Sequence, residues 1–323
     1  GRFLSAGSLL KRSRQLAIYL KKNGVCYNSR VFVAIAPGSE FLTLFLALVH
    51  IGAITALIDP HMGNALYQSK IKQFKPEFAF IDSRLLFLQE HPLLRWFYRK
   101  IKPSGFYIPK SKSYFVFSGG MKLPLFQRHK RLKYSTSIPA RTIAPDWDKG
   151  SFLVYTSGTL SEPKAVVHSI NTLYQSLRVL SDFLKTEPLQ RVATHLPHFA
   201  LIGALAGFKT YFWPEDLSPK KRIRFIEKHK ITTLFGPPAE FWPLVEYCTS
   251  QKQKLPDCLA HLIFGSAPVL PSFISAISKL TPAKLSCLYG MTENLIVSSV
   301  DARVKMKAGA DGDLVGQVFK GLE

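Results

Sequence analysis

The chain has 323 residues, of which 47% are hydrophobic and 20% are charged. This is the composition of an ordinary globular protein, so it excludes an intrinsically disordered or fibrous chain. At roughly 100–200 residues per domain, the length predicts about two domains or lobes. The formal net charge of +22 attracts anions, and nucleic acid, an anionic membrane surface and phosphorylated small molecules all fit that charge.

Strands and helices alternate in the first part of the chain. The predicted elements are a strand at Val31–Ala36, a helix after Ser39, a strand ending at Ile58, a helix near 65–74 and a strand at Phe78–Ile81. This alternation predicts a parallel, doubly wound sheet with helices on its faces.

One stretch without charged residues, Phe41–Ile58, is long enough to be a candidate membrane span. The polar residues Thr43 and His50 and the helix-breaking Gly52 argue against a continuous apolar helix. We therefore predict a helix that ends at Gly52, followed by a buried strand.

The segment 91–145 interrupts the alternation. It contains twelve Lys and Arg residues, no acidic residue, and several interleaved aromatic residues. This mixture suits contact with an anionic lipid surface, and the alternative is a solvated insertion that packs a few aromatic side chains. We place a first α/β lobe at 1–145, with this insertion near 91–145, and a second α/β lobe at 146–323.

The same alternation resumes in the second lobe. Strands are predicted at 151–155, 192–196, 232–235, 262–264 and 285–289, and helices at 168–184, 239–248 and 271–280. Ligands of such sheets bind beyond the carboxyl ends of the strands. The clusters of Gly, Ser, Thr and Pro in this sequence fall at those ends.

The cysteines do not form a metal-binding or disulfide pattern. Cys26, Cys248, Cys258 and Cys287 are far apart and include no Cys-x-x-Cys pair, so we expect reduced, mostly buried thiols. The chain begins without a Met or the apolar core of a signal peptide, and we expect a cytoplasmic protein, with peripheral membrane contact if the basic segment touches lipid.

A small, hydroxyl-rich loop follows the strand predicted at 151–155. Thr156, Ser157, Gly158 and Thr159 precede Lys164, and such a loop offers backbone N–H groups, hydroxyl donors and one fixed cation to a phosphate. A Walker loop and a Gly-x-Ser-x-Gly nucleophile elbow are both absent from the sequence. The loop is a candidate phosphate site of a different type.

Four motifs in order give a more specific resemblance. Thr156–Lys164, Phe264–Pro268, Tyr289–Glu293 and Val315–Val318 resemble the phosphate loop, the Gly-Gly-Ala-Pro segment, the Tyr-Gly-x-Thr-Glu motif and the Val-Gly-x-Pro motif of one superfamily. This is the adenylate-forming superfamily of acyl-CoA synthetases, peptide-synthetase adenylation domains and luciferases. The resemblance covers nearly the whole chain. Asp59–Gly63, Leu196–Leu201 and Phe235–Pro238 look closest to the fatty-acyl branch, which includes the β-lactone synthetases of olefin biosynthesis.

The resemblance implies a set of residues that contact ATP and Mg²⁺. The β- and γ-phosphates would be bound by Thr156, Ser157, Gly158, Thr159 and Lys164. The adenine would be enclosed by Ser266, Ala267, Pro268, Tyr289, Gly290 and Met291. Thr292 would contact the α-phosphate, Glu293 with Thr159 would hold Mg²⁺, and Lys164, Thr292 and Glu293 would be the catalytic residues. His198, Phe199 and Gly265 would line the acyl pocket.

The implied activity is ATP-dependent adenylation of a fatty or other apolar carboxylic acid, followed by transfer of the acyl group to CoA. Two alternatives remain open: closure of a 3-hydroxy acid to a β-lactone, and a non-catalytic relative that binds nucleotide or acyl chains. Nucleic acid is disfavoured as a partner, because it rests on charge alone. The sequence resembles the large N-terminal domain of the family, since the ribose-binding Asp, the hinge and the late Lys do not occur before Glu323.

Three substitutions depart from the family pattern of the phosphate loop. Leu160 replaces a threonine, and Ser161 and Ala165 replace glycines of the phosphate loop. Glycine permits positive φ and close backbone approach, so we expect a stiffer and more crowded loop.

Overall fold

The computed structural model describes residues 4–35, 38–57, 64–82, 113–117, 130–131, 151–155, 164–184, 190–194, 196, 201–203, 206–212, 217–308 and 314–320. The chain divides into two compact units, Gly1–Leu173 and Tyr174–Glu323. The division predicted from the sequence falls after residue 145. The difference arises because the strand Ser151–Tyr155 pairs with Ile54–Leu57 of the first unit.

The first unit is built on a seven-stranded sheet. Its elements are α1 (Ala6–Lys22), β1 (Arg30–Ala34), α2 (Ser39–Ile51), β2 (Ile54–Leu57), α3 (Asn64–Phe74), β3 (Phe78–Asp82), β4 (Ser113–Phe117), β5 (Lys130–Arg131), β6 (Ser151–Tyr155) and β7 (Ala165–Ser169). The strand order is β5-β4-β3-β1-β2-β6-β7. Neighbouring strands are parallel except β6 and β7, which are antiparallel.

The stretch from Phe41 to Ile58 divides between a helix and a strand, as predicted. Helix α2 has 13 residues and ends at Gly52, which adopts the left-handed conformation with φ 79°. Glycine reaches this conformation without a Cβ penalty and commonly ends helices. No helix within the described residues is long and apolar enough to cross a membrane.

The basic segment contributes strands to this sheet. β4 pairs in parallel with β3, and β5 pairs with β4, so these parts of 91–145 extend the sheet and are not an insertion outside it. The apolar and aromatic run Ser113–Phe117 has the composition of a strand, which explains why it joins the sheet. The rest of the segment, and the lipid contact proposed for it, lie outside the described residues.

The second unit contains a second seven-stranded sheet. Its elements are β8 (Arg191–Thr194), β9 (Lys209–Phe212), α5 (Pro219–His229), β10 (Thr233–Gly236), α6 (Pro238–Ser250), β11 (His261–Phe264), α7 (Pro271–Ser278), β12 (Lys284–Tyr289), β13 (Ser298–Asp301), α8 (Ala302–Lys307) and β14 (Gln317–Val318), while α4 (Ile170–Leu184) crosses the division. The strand order is β14-β13-β12-β11-β10-β8-β9. The pairs that involve β13 are antiparallel and the others are parallel. Two mainly parallel α/β units confirm the predicted fold class.

Buried apolar side chains hold the helices of this unit on the sheet. Phe241 of α6 and Phe273 of α7 both pack edge-on against Phe264 of β11, with ring centroids 4.9 and 5.0 Å away. Edge-to-face aromatic pairs add to the free energy of area burial. The packing fixes β11, and with it the loop that follows Phe264.

Candidate functional site

Three parallel strands of the second unit end side by side. β10, β11 and β12 are neighbours in the sheet, and they end at Gly236, Phe264 and Tyr289. The N–H of Gly265 donates a hydrogen bond of 3.2 Å to the carbonyl oxygen of Gly236, which joins two of these ends. Two of the predicted adenine-contacting segments, 265–268 and 289–291, therefore follow adjacent strands at the edge where such sheets bind ligands.

The loop after β11 presents its residues to solvent. Ser266, Ala267 and Pro268 are exposed, while Gly265 before them and Val269 after them are buried. Ser266 has φ 65°, the left-handed region that a residue with a Cβ enters at a free-energy cost of about 1–2 kcal/mol. Strained backbone of this kind concentrates at ligand-binding sites. The loop is anchored at both ends and open in the middle.

The loop after β12 contains a tight turn. Met291 N–H donates to the carbonyl oxygen of Asn294 over 2.8 Å, and Asn294 N–H donates back to that of Met291 over 3.1 Å. Thr292 and Glu293 are therefore the two central residues of the turn. Because Val297 N–H also bonds the carbonyl oxygen of Tyr289 at 2.8 Å, the turn is fixed to the end of β12.

Gly290 is required by the shape of this loop. A Cβ added at this position would overlap the carbonyl group of Leu295. At the corresponding place after β11, a Cβ added at Gly265 would lie 3.4 Å from the carbonyl oxygen of Leu288, an ordinary contact. The glycine of the Tyr-Gly-x-Thr-Glu motif thus has a steric reason that the glycine of the other loop lacks.

The exposure of the motif residues agrees with a binding surface. Tyr289 and Met291 are 40% and 44% exposed, so neither is a core residue. Glu293 is also exposed, while Thr292 is half-buried. An aromatic ring, a thioether, a hydroxyl and a carboxylate thus lie within five consecutive residues at the end of one strand. These groups suit contacts to a base, a phosphate and a hard cation.

The Val315–Val318 motif supports the same hairpin from its other side. β14 pairs with β13, and the Ser298 hydroxyl donates a 2.6 Å hydrogen bond to the carbonyl oxygen of Val315. Gly316 has φ 90°, and a Cβ there would overlap the carbonyl group of Ser299. No role was predicted from the sequence for Ser298, Gly316 or Asn294. In the structure β13 links the last two motifs, because it pairs with β12, which ends at the first motif, and with β14, which carries the second.

In the first unit, the two ends of the phosphate-loop motif are paired. Tyr155 ends β6 and lies opposite Ala165, the first residue of β7. Its ring is buried, its hydroxyl donates 3.3 Å to the carbonyl oxygen of Lys70, and the Lys70 ammonium lies 5.4 Å from its ring centroid. Burial raises the pKa of Tyr155, so the hydroxyl stays protonated as a donor. These contacts hold Tyr155 in place at the end of β6. Lys164, which is exposed, directly precedes Ala165, the residue paired with Tyr155.

One expected effect of the loop substitutions is absent. Ala165 is an exposed residue of an extended, paired strand, and it is not among the residues with positive φ. Alanine adopts that conformation without strain, so Ala165 does not impose the backbone strain that is expected where glycine has positive φ. Leu160 and Ser161 lie outside the described residues.

The structure describes only some of the predicted site residues. Lys164 belongs to the first unit, and Gly265–Pro268 and Tyr289–Glu293 belong to the second. Outside the described residues lie Thr156, Ser157, Gly158, Thr159, His198 and Phe199.

The described residues hold no group of three or more His, Cys, Asp or Glu side chains that could bind a metal by themselves. The exposed Glu293 carboxylate fits Mg²⁺ nonetheless, because this ion is usually held by one or two carboxylates together with water and substrate phosphates.

The cysteine thiols are not among the predicted site residues. All four cysteines are free, and burial raises the pKa of Cys248, and that of Cys287 to about 11.

A mainly parallel α/β sheet with exposed loops at the carboxyl ends of its strands is an architecture in which enzymes bind nucleotides. The chain belongs to the AMP-binding enzyme family, whose model matches residues 1–323. It is 29% identical over 329 aligned positions to an olefin beta-lactone synthetase of Xanthomonas campestris pv. campestris, covering 98% of this chain and 56% of that protein. A 4-chlorobenzoate–CoA ligase of Arthrobacter sp. is 23% identical, with 91% of this chain and 54% of the ligase covered.

The fold agrees with this membership. A long-chain-fatty-acid–CoA ligase from Archaeoglobus fulgidus superposes with a TM-score of 0.72 at 18% identity, over 98% of this chain and 64% of that structure. The chain spans about half the length of the two curated relatives it matches.

Proposed function

We propose that this chain forms the ATP-binding part of an enzyme that activates an apolar carboxylic acid as its acyl-adenylate. The observation that carries the proposal is the pair of adjacent strand-end loops, in which Ser266–Pro268 and Tyr289–Met291 are exposed beside a turn centred on Thr292 and Glu293. Membership of the AMP-binding enzyme family supports the same nucleotide.

The reaction joins two anions, so the site must neutralise charge. A carboxylate oxygen of the acid attacks the α-phosphorus of ATP, and the bond from that phosphorus to the departing pyrophosphate breaks. The Thr292 hydroxyl would donate to an oxygen of the α-phosphate, and the Lys164 ammonium would bind the β- and γ-phosphates. Glu293 would be a ligand of Mg²⁺, which supplies Lewis-acid stabilisation of the phosphate oxygens when bound. Fixed donors and cations of this kind are usually the largest contribution to rate in such a step.

The acceptor of the acyl group separates two versions of the proposal. The relative at 29% identity is named for β-lactone synthesis, which favours attack of the substrate's own β-hydroxyl on the activated carbonyl. This attack breaks the acyl–phosphate bond, and AMP leaves as the hydroxyl proton is lost. Such an intramolecular attack has a high effective concentration and needs no thiol. The 23% identity to a CoA ligase favours transfer to CoA as the second candidate.

Adenylation is tested by the exchange of labelled pyrophosphate into ATP with the complete gene product, in the presence of a panel of fatty, 3-hydroxy-fatty and aromatic acids. We expect exchange that depends on an apolar acid. Glu293→Gln should lower its rate at least about 100-fold, the scale of losing one charge-stabilising contact. Glu246→Gln, an exposed carboxylate of α6, is the matched control and should leave the rate unchanged. Absence of exchange with every acid overturns the proposal.

A second pair of variants tests the hydroxyl of the turn. Thr292→Ser keeps the donor and should retain most of the exchange activity, whereas Thr292→Val removes it and should lower the rate about 100-fold. Equal rates for the two variants would mean that the hydroxyl does not contact the phosphate.

Product analysis separates the acceptors. The protein is incubated with ATP and a 3-hydroxy acid, with and without CoA, and the products are identified by mass spectrometry. A β-lactone formed without CoA supports intramolecular closure, and an acyl-CoA supports the ligase version.

A further inference from the structure

Helix α5 presents a row of basic side chains to solvent. Lys220, Lys221, Arg224, Lys228 and the residue after the helix, Lys230, are all exposed. At about 100° per residue, the four that lie within the helix span roughly one quarter of its circumference. We call these five residues the α5 basic face. Glu227, at one margin, is the one exposed acid of the helix.

The opposite side of the helix is fixed to the unit. Ile223 and Ile226 are buried in the core, and the buried Arg222 donates to the carbonyl oxygens of Leu217 and Glu240, each over 3.0 Å. Phe225 packs edge-on against Tyr211 of β9. Since the inner side is held in this way, the α5 basic face cannot turn toward the core.

The cations of this face outnumber the one acid beside it, Glu227. None of the five forms a salt bridge within the parts of the chain that the structure describes. Arg191 adds a further cation at the carboxyl end of the helix, where its guanidinium donates 3.0 Å to the carbonyl oxygen of His229. Burial lowers the pKa of His229, and the charges of Lys228 and Arg191 lower it further, which reflects the positive potential at this end.

We propose that the α5 basic face is a docking surface for an anionic lipid bilayer. A straight helix of 11 residues is about 16 Å long, and its row of cations can meet a flat layer of head groups at several points at once. Clusters of four to eight Lys and Arg residues on one helix face are typical of surfaces that bind anionic lipids. The residues of this face lie outside the basic segment 91–145 in the sequence.

Two other anionic partners fit the charge less well. Single-stranded nucleic acid is usually bound with aromatic side chains as stacking platforms, whereas Tyr211 and Phe225 beside this helix pack against each other. The second partner is one recognised through its carboxylates or base edges, which arginine binds with two parallel hydrogen bonds. Most residues of this face are lysine, which is a point charge and cannot bind in that way. The choice of lipid also rests on the proposed function, since an apolar acid substrate partitions into membranes.

The test measures sedimentation of the complete protein with vesicles of phosphatidylcholine alone, and with vesicles in which about a third of the lipid is phosphatidylglycerol. One variant combines Lys221→Gln, Arg224→Gln and Lys228→Gln. The matched control combines Lys11→Gln, Lys279→Gln and Lys307→Gln, three exposed positions on other elements, and removes the same total charge. Glutamine keeps the helix propensity of these positions, and circular dichroism checks the fold of both variants.

Each cation near an anionic surface contributes about 1 kcal/mol, a factor of about five in partitioning. The α5 variant should therefore bind anionic vesicles about 100-fold more weakly than the unchanged protein, and high salt should have a similar effect. The control should stay within about threefold of the unchanged protein, because its cations lie off the face.

Three results would overturn the proposal. They are an equal loss of vesicle binding in the two variants, equal binding of the unchanged protein to both vesicle types, and loss of binding to random duplex DNA in the α5 variant without loss of vesicle binding. The vesicle measurement contains neither ATP nor acid. Its result can therefore be interpreted even if the proposed adenylation fails.

Discussion

Replacing Gly290 with alanine should open the turn that carries Thr292 and Glu293, whereas the same change at Gly265 should leave its loop intact. A Cβ at Gly290 overlaps the carbonyl group of Leu295, so the backbone must move. That movement breaks three backbone hydrogen bonds of 2.8, 3.1 and 2.8 Å that define the turn and attach it to β12. At about 1 kcal/mol each, the local free energy of opening falls by about 3 kcal/mol.

Hydrogen exchange measures this directly, because exchange of a bonded amide reports local opening. A loss of about 3 kcal/mol corresponds to roughly 100-fold faster exchange at the amides of Met291, Asn294 and Val297. In the same molecule, the amides of β10 and β11 should keep their protection. The Gly265→Ala variant is the matched control, since its Cβ has 3.4 Å to the nearest oxygen, that of Leu288.

The reasoning is refuted if exchange at the three amides is unchanged in Gly290→Ala, or if it rises equally in Gly265→Ala. Either result would mean that the turn is not held by the contacts described above. The two variants also test whether the shape of the turn matters to the adenylation activity. If Gly290→Ala loses acid-dependent exchange of pyrophosphate while Gly265→Ala keeps it, the position of Thr292 and Glu293 matters to the activity.

Three further predictions concern strain and pH. Ser266→Gly should stabilise the protein by about 0.5–1 kcal/mol in urea unfolding, because it relieves a φ of 65° but adds freedom to the unfolded chain. Burial lowers the pKa of His261 to about 4, and Lys284 acts in the same direction, so the folded state binds fewer protons than the unfolded state. The free energy of unfolding should therefore fall by roughly 3 kcal/mol between pH 6.5 and 4. The His261→Gln variant should lack this dependence on pH. Burial, aided by Arg14 and Lys21, also lowers the pKa of His50, whose ring nitrogens meet no hydrogen-bond partner among the described residues; His50→Leu should raise the urea midpoint and weaken the loss of stability below pH 6.5.

Features with a local cause could be predicted from the sequence. Gly52 ends α2 as expected, and the strand that precedes the Tyr-Gly-x-Thr-Glu motif ends at Tyr289. Both element ends depend on residue types at nearby positions in the sequence. The exposure of Tyr289 also agrees with its place at a strand end.

Features that depend on distant partners could not be predicted. The helix predicted from His168 begins at Ile170, because Ala165–Ser169 pairs with β6 and His168 stacks on Phe152 at 4.8 Å. Likewise β4 joins the sheet through pairing with β3. The left-handed backbone of Ser266 is not indicated by serine itself, which rarely adopts it, but the Gly-Gly-Ala-Pro motif has a glycine at this position and could have indicated it.

The geometry of the β6–β7 hairpin limits which substituted residues could impair phosphate binding by the altered loop. Tyr155 and Ala165 are paired in the ladder, and the buried Tyr155 is held by Lys70, so the two ends of the motif stay in place whatever lies between them. Alanine at position 165 fits its extended backbone as well as glycine would. Backbone strain from the substitutions in this loop can therefore arise only at Leu160 and Ser161. A change confined to two residues between fixed ends alters how the loop meets phosphate more readily than whether the hairpin forms.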